Sequence, residues 1–211
     1  MKPTNVLPAG AELELEVVDR RALTADVLGL RLQRADGGPL PAATPGAHLK
    51  IEVLVDGRVS QRCYSIVNAG DSAQAYELGV KLEAGGKGGS RFMHGLAVGA
   101  RVAASAPRDE FGLVGATHEA VLIAGGIGIT PILSMARALQ ARGASYGLHY
   151  GPRSAEAMAY RPEIETLCAS SARLYFDGGV PERGMQLRQV LAEPSPSRHA
   201  YICGPKPLVD A

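Results

Sequence analysis

The stretch VLIAGGIGITP, residues 121–131, decides the fold of the second half of the chain. Its first four residues are apolar and predict a buried strand, and residues 132–141 carry apolar side chains at helical spacing. Between the two stand three glycines, Gly125, Gly126 and Gly128. Strand, glycine turn and helix open a βαβ unit, in which the backbone approaches a ligand closely and the helix start favours an anion.

The start of this helix carries a second signal. Thr130 stands where the hydroxyl of an N-cap is expected, and Pro131 stands at the first helical position, where proline is tolerated. The glycine spacing is G-G-x-G and not the dinucleotide fingerprint G-x-G-x-x-G. The turn could therefore bind a nucleotide or serve the geometry of the chain alone.

Length and composition indicate a globular protein of one large or two small domains. The 211 residues are 46% apolar and 20% charged, and the formal net charge of +1 gives no indication of nucleic-acid binding or of an anionic membrane surface. Because there is no run of 18 apolar residues and no apolar N-terminal segment, we expect a cytoplasmic protein without a membrane span. Cys63, Cys168 and Cys203 are too few for an iron–sulfur cluster, and the five histidines lack metal-ligand spacing, so no metal site is expected.

The predicted elements change in character along the chain. The first half contains the predicted strands 12–19, 27–32, 48–55, 60–67, 76–82 and 100–104, with a short helix at 90–96. Strands at this spacing, with turns between them, favour an antiparallel barrel or sandwich. The second half alternates strands at 121–124, 146–150, 173–176 and 199–203 with helices at 131–142, 162–168 and 185–191, a turn at 194–197 and a last helix from 205. We therefore predict a β-barrel domain at 1–112 and a Rossmann-like α/β domain with a parallel sheet at 113–211.

Three further motifs carry candidate binding residues. RCYS at 62–65 combines the guanidinium group of Arg62, which suits a phosphate, with the flat aromatic face of Tyr64 and the hydroxyl group of Ser65. AGGKGGS at 84–90 places glycines, a lysine and a serine before a helix, as in a phosphate-binding loop. CGP at 203–205 follows a strand, at the sheet edge where α/β domains bind ligands. Taken singly, the three motifs could also be an ordinary strand, a flexible loop and a plain strand-to-helix turn, respectively.

In this order the motifs resemble the ferredoxin–NADP reductase superfamily, and most of all its phthalate dioxygenase reductase and vanillate demethylase reductase branch. The residues that carry the resemblance are Arg62-x-Tyr64-Ser65, GGS at 88–90, PRDEF at 107–111, GGIGITP at 125–131 and CGP at 203–205. The resemblance covers nearly the whole chain. It implies that FMN lies between the barrel and the α/β domain, that NADH is the substrate, and that electrons pass to a separate terminal oxygenase.

The resemblance also implies roles for individual residues. The expected FMN-binding residues are Arg62, Cys63, Tyr64, Ser65, Gly79, Val80, Lys81, Lys87, Gly88, Gly89, Ser90 and Thr130. The expected NADH-binding residues are Gly125, Gly126, Gly128, Pro131, Arg153, Cys203, Gly204 and Pro205. Because the two cofactors carry the hydride chemistry themselves, Ser65, Thr130 and Cys203 are expected to position the reacting rings and not to act as acids or bases.

The sequence departs from the pattern of this branch in several places. Lys87 stands where arginine is common, and Cys63 stands where threonine is usual. Members of the branch continue past the Cys-Gly-Pro motif into a plant-type [2Fe–2S] domain that this sequence lacks, so we expect it to be part of a longer chain. Two alternatives to an oxygenase reductase remain open: a freestanding flavin or ferric reductase using FMN or FAD, and a non-catalytic module that binds flavin or nucleotide.

Overall fold

The computed structural model describes residues 12–70, 74–114, 119–168, 171–180, 183–192 and 197–211. They form a six-stranded antiparallel sheet followed by a four-stranded parallel sheet with helices. None of the described helices has the length and apolar character that crossing a bilayer requires. His118 lies outside the described residues, as does the predicted turn at 194–197 except for its last residue.

The antiparallel sheet curves into a barrel. Its elements are β1 Leu13–Ala22, β2 Val27–Arg34, β3 His48–Val55, β4 Arg58–Ser65, β5 Tyr76–Lys81, helix α1 Gly89–His94 and β6 Arg101–Ala104. The strand order is β4-β3-β6-β1-β2-β5, and a bridge between Ile66 and Leu78 brings the two ends of the sheet together. Asp56 and Gly57 connect β3 to β4 with positive φ angles of 50° and 73°, the backbone that a tight two-residue hairpin requires.

The second sheet is parallel, as the alternation of strands and helices predicts. Its elements are β7 Glu119–Gly125, a 3₁₀ turn Gly126–Gly128, helix α2 Ile129–Ala141, β8 Ser145–Gly151, α3 Arg161–Leu167, β9 Ala172–Leu174, α4 Leu187–Val190, β10 Arg198–Cys203 and α5 Lys206–Val209. The strand order β10-β7-β8-β9 places the carboxyl ends of all four strands at one edge. This edge faces the barrel domain.

The predicted N-cap of α2 is wrong. The helix starts at Ile129 directly after the 3₁₀ turn, and its N-cap position is taken by Gly128. Thr130 therefore lies inside the first turn, where its hydroxyl donates a hydrogen bond to the carbonyl oxygen of Ile127 at 3.0 Å. Pro131 is likewise the third helical residue and not the first.

The two domains share buried contacts. Leu23, Val27, Val67 and Phe111 from the first half pack into the apolar core of the α/β domain. A buried polar contact accompanies them, because the backbone N–H of Gly46 donates to the hydroxyl oxygen of Ser134 at 2.9 Å. These contacts hold the barrel against the helix that follows the glycine turn.

Substitution Ser134→Ala tests this interface. It leaves the buried N–H of Gly46 without an acceptor, which costs about 1–3 kcal/mol. We expect the free energy of unfolding in urea to fall by that amount. The control is Thr166→Ala, which removes an exposed hydroxyl bonded to its own helix at 2.8 Å. Equal effects of the two substitutions would show that the interdomain bond contributes nothing of its own.

Candidate functional site

A cavity of about 1210 Å³ lies between the barrel and the carboxyl edge of the parallel sheet. Most of the residues that the sequence singled out line it: Arg62, Cys63, Tyr64, Ser65, Gly79, Lys81, Lys87, Gly89, Ser90, Gly125, Gly126, Gly128, Thr130, Arg153, Cys203, Gly204 and Pro205. Three predicted residues do not reach its wall. Val80 is buried in the barrel core, Gly88 packs on Val55, and Pro131 is buried in α2. The roles of all these residues stay predictions.

At the barrel end of the cavity, basic and hydroxyl groups come together. A Cβ atom at Gly89 would lie 2.8 Å from Cγ and Nε of Arg62, so the glycine lets the arginine lie across the start of α1. Lys87 lines the same cavity. The hydroxyl oxygen of Ser90 accepts a hydrogen bond from the backbone N–H of Glu83 at 3.0 Å and retains its own proton to donate. Two cations and a hydroxyl group are suited to a phosphate.

Tyr64 provides the flat surface that the sequence predicts for this strand. Its side chain is half-buried and packs against the barrel core, while the residue also lines the cavity. Burial raises the pKa of Tyr64 to about 12, so its hydroxyl group stays protonated at neutral pH. A neutral aromatic side chain fixed in this way can stack on a planar ring.

The centre of the cavity is where the two domains touch. A Cβ atom at Gly79 would lie 2.8 Å from both Cγ2 of Thr130 and the hydroxyl oxygen of Tyr160. Because the Thr130 hydroxyl is bonded to Ile127 in the preceding 3₁₀ turn, its methyl group is the part that contacts the barrel. Only glycine at position 79 permits this approach, which places β5 directly against the start of α2.

At the parallel-sheet side of the cavity, the glycines of the turn after β7 differ in what surrounds them. A Cβ atom at Gly128 would lie 2.2 Å from the carbonyl oxygen of Cys203, and one at Gly125 would lie 2.8 Å from Cδ of Pro205. These two glycines therefore let the turn after β7 pack on the Cys-Gly-Pro turn after β10. Gly126 differs, because it has a φ of +51° and a Cβ atom added there would meet no atom of the described residues within 4 Å, so its backbone borders open space. Burial raises the pKa of the Cys203 thiol, which therefore stays protonated at neutral pH.

Several residues at the far end of the cavity were not predicted from the sequence. Tyr175 and Asp177 follow β9 and line the cavity beside Arg153. The carboxyl-edge rule that selected the other turns would have selected these two as well, since a strand was predicted close to them. Nδ1 of His149 lies 2.8 Å from the hydroxyl oxygen of Tyr175. Burial, and then the charge of Arg173, lower the pKa of His149, so the imidazole is neutral at pH 7.

Each half of the chain matches a known family of protein domains. Residues 14–112 match the oxidoreductase FAD-binding domain, and residues 122–211 match the oxidoreductase NAD-binding domain. The chain is 37% identical over 196 residues to vanillate O-demethylase oxidoreductase of Pseudomonas sp. (strain HR199 / DSM 7063), covering 92% of this chain and 61% of that protein. It is 35% identical over 201 residues to phthalate dioxygenase reductase of Burkholderia cepacia, covering 94% of this chain and 62% of that protein.

A solved structure of phthalate dioxygenase reductase superposes with a TM-score of 0.87 at 35% identity, over 94% of this chain and 62% of that one. The fold and the domain matches define an oxidoreductase with a flavin-binding and an NAD-binding domain. Within that class, the chain belongs to the ferredoxin reductase-like family and is homologous to phthalate dioxygenase reductase and vanillate O-demethylase reductase. The predicted fold class and family are confirmed. The chain spans less than two thirds of the length of these relatives.

Proposed function

We propose that this chain is the NADH-dependent flavin reductase part of an oxygenase system. In this proposal it binds FMN and passes electrons, through a [2Fe–2S] domain outside this sequence, to a terminal oxygenase. The observation that supports it is the continuous cavity that joins the basic end of the barrel to the carboxyl edge of the parallel sheet. A flavin and a dinucleotide bound at these two places would meet at Gly79 and Thr130, where the domains touch.

The residues present fit these two cofactors. Arg62, Lys87 and Ser90 would hold a phosphate at the barrel end, while Tyr64 and Ser65 would flank the planar ring. The bound flavin supplies the chemistry, because it accepts a hydride and releases electrons one at a time. Thr130 and Cys203 would position the nicotinamide against the flavin. The Thr130 hydroxyl and the Cys203 thiol both stay protonated, and neither residue acts as an acid or a base in this proposal.

The choice of FMN over FAD rests on the phthalate dioxygenase reductase branch and on the basic groups at the barrel end. A terminal phosphate carries more negative charge than the phosphodiester linkage of FAD, and it can accept more hydrogen bonds from Arg62, Lys87 and Ser90. We therefore expect tighter binding of FMN than of FAD in a fluorescence titration of the flavin-free chain. The cytoplasmic location predicted from the sequence belongs to the same proposal.

An anaerobic absorption spectrum tests the proposal. We expect the chain loaded with FMN to show flavin bands that bleach when NADH is added, and to recover them when a one-electron acceptor such as ferricyanide is supplied. Flavin that binds without bleaching would instead favour a non-catalytic binding module. Bleaching by NADH with rapid transfer to free FMN or ferric complexes, and none to an iron–sulfur partner, would favour a freestanding reductase. A chain that takes up no flavin would overturn both reductase functions and a flavin-binding module, and would leave only a module that binds nucleotide.

A further inference from the structure

Tyr160 lies at the junction of the two domains in a strained backbone conformation. Its φ and ψ angles are 59° and 30°, in the left-handed region that bulky side chains rarely adopt. Among the described residues, the other non-glycine residue with a positive φ is Asp56, in the hairpin turn. Such a conformation persists only where the surrounding structure holds it. Here Tyr160 is 2% exposed and belongs to the same apolar core as Leu23 and Val27 of the barrel.

The ring of Tyr160 packs on the strand that borders the centre of the cavity. A Cβ atom at Gly79 of β5 would lie 2.8 Å from the hydroxyl oxygen of Tyr160 and 3.0 Å from its Cε2. The same Cβ atom would lie 2.8 Å from Cγ2 of Thr130. Gly79 and Thr130 line the cavity, and Tyr160 does not. Tyr160 therefore supports, from outside the cavity, the strand at which a bound flavin and nicotinamide would meet.

An ion pair fixes the same helix to the barrel. Tyr160 is the N-cap of α3, and Glu163 lies in the first turn of that helix. Nη2 of Arg21, near the end of β1, donates to Oε1 of Glu163 at 2.5 Å, although the two residues are 142 positions apart. The Glu163 side chain is 20% exposed and the Arg21 side chain is 54% exposed. Solvent therefore screens the pair in part, and its contribution is modest but acts directly across the domain junction.

We propose that Tyr160 is a positioning residue for hydride transfer, and that it sets the separation between the flavin and the nicotinamide. Its ring on Gly79, together with the Arg21–Glu163 ion pair, fixes α3 and the rest of the α/β domain against the barrel. This inference rests on the proposed function, because it assumes that the barrel holds the flavin and the α/β domain holds the nicotinamide. The reacting atoms must lie about 3–3.5 Å apart, so a displacement of about 1 Å between the domains changes the rate strongly.

Substitutions at Tyr160 separate positioning from binding. Tyr160→Leu keeps an apolar side chain that is too short to reach Gly79, so we expect flavin bleaching at saturating NADH to be about tenfold slower. The affinities for FMN and NADH should stay near the wild-type values, since no contact with either cofactor is removed. Tyr160→Phe retains the ring edge that packs on Gly79 and should bleach nearly as fast as the wild type. A loss of affinity with an unchanged rate at saturation would overturn the positioning role.

Charge reversal at the ion pair tests the same role without disturbing the core. Arg21→Glu or Glu163→Arg alone places like charges together, and each should slow bleaching at saturating NADH about threefold. The double variant restores an opposite pair and should recover most of the wild-type rate. The control is Glu165→Arg, which breaks an exposed ion pair of 2.6 Å with Arg161 on the same helix and within one domain. An equal effect of this control, or no recovery in the double variant, would contradict the proposal.

Unfolding of the flavin-free chain in urea separates this inference from the proposed function. The single reversals should lower the urea midpoint, and the double variant should recover it. If NADH bleaches the flavin of the wild type and of every variant at the same rate, the proposed function stands and Tyr160 has no positioning role. If NADH bleaches none of them, the proposed function fails and the midpoints decide the junction. Recovery in the double variant would then support the fixed orientation of the domains, and equal midpoints for all chains would overturn it.

Discussion

Substitution Gly128→Ala is expected to slow NADH-dependent flavin reduction about 100-fold while leaving flavin binding intact. The new Cβ atom would lie 2.2 Å from the carbonyl oxygen and 2.5 Å from the carbonyl carbon of Cys203. Both are backbone atoms, so no side chain can rotate away and the two turns must separate. Overpacking of this kind costs about 3 kcal/mol. A displacement of about 1 Å in a wall that orients a reactant is expected to lower the rate by about 100-fold.

The measurement is the rate of anaerobic flavin bleaching by NADH, with FMN affinity measured in parallel. The matched control is Gly147→Ala in β8 of the same sheet, where the nearest atom to the new Cβ is Nε2 of His149 at 3.8 Å, an ordinary contact. We expect the control to reduce FMN with NADH at nearly the wild-type rate. A Gly128→Ala variant that also reduced FMN normally would show that the packing of the two turns does not shape the nucleotide site.

Much of the fold was predictable because its signals are local. The alternation in β1, the Asp56-Gly57 hairpin and the strand–glycine–helix pattern at β7 each depend on residues close in sequence. The N-cap at Thr130 was not predictable in the same way. Whether a glycine turn ends in a loop or continues through a 3₁₀ turn into the helix depends on what packs against it. Here the Cys-Gly-Pro turn lies directly on Gly128, about 75 residues away in the chain.

The candidate site shows the same difference between local signals, which the sequence reveals, and contacts between distant residues, which it does not. The motifs at 62–65 and 84–90 are each a short continuous stretch, so their residue types made them candidates and the resemblance to a known family implied their roles. The topology brings both to one cavity. The contact of Gly79 with Thr130 and Tyr160, and the bond between His149 and Tyr175, join residues that are far apart in sequence. No spacing rule pairs them, since their proximity follows from the strand order and from the packing of the two domains.

Arg62 gives the second large effect. We expect Arg62→Gln to weaken FMN binding about 100-fold, because a guanidinium paired with a phosphate in two hydrogen bonds contributes about 3 kcal/mol. In the structure the guanidinium Nη1 donates to the carbonyl oxygen of Gln61 at 2.8 Å, which leaves other N–H groups of the fork for the ligand. Fluorescence titration of the flavin-free chain with FMN measures the change. Because the interaction is electrostatic, the difference from the wild type should shrink as salt is added.

Measuring the affinity for riboflavin as well shows whether the effect of Arg62→Gln depends on the phosphate of FMN. It has the same ring system without the phosphate, so Arg62→Gln should bind riboflavin about as well as the wild type does. Arg58→Gln is the matched control, since Arg58 lies on the same strand, is exposed and does not line the cavity. It removes the same charge from β4 and should leave FMN affinity nearly unchanged. Equal losses for FMN and riboflavin would mean that Arg62 supports the shape of the site through its packing on Gly89, and that the phosphate is held elsewhere.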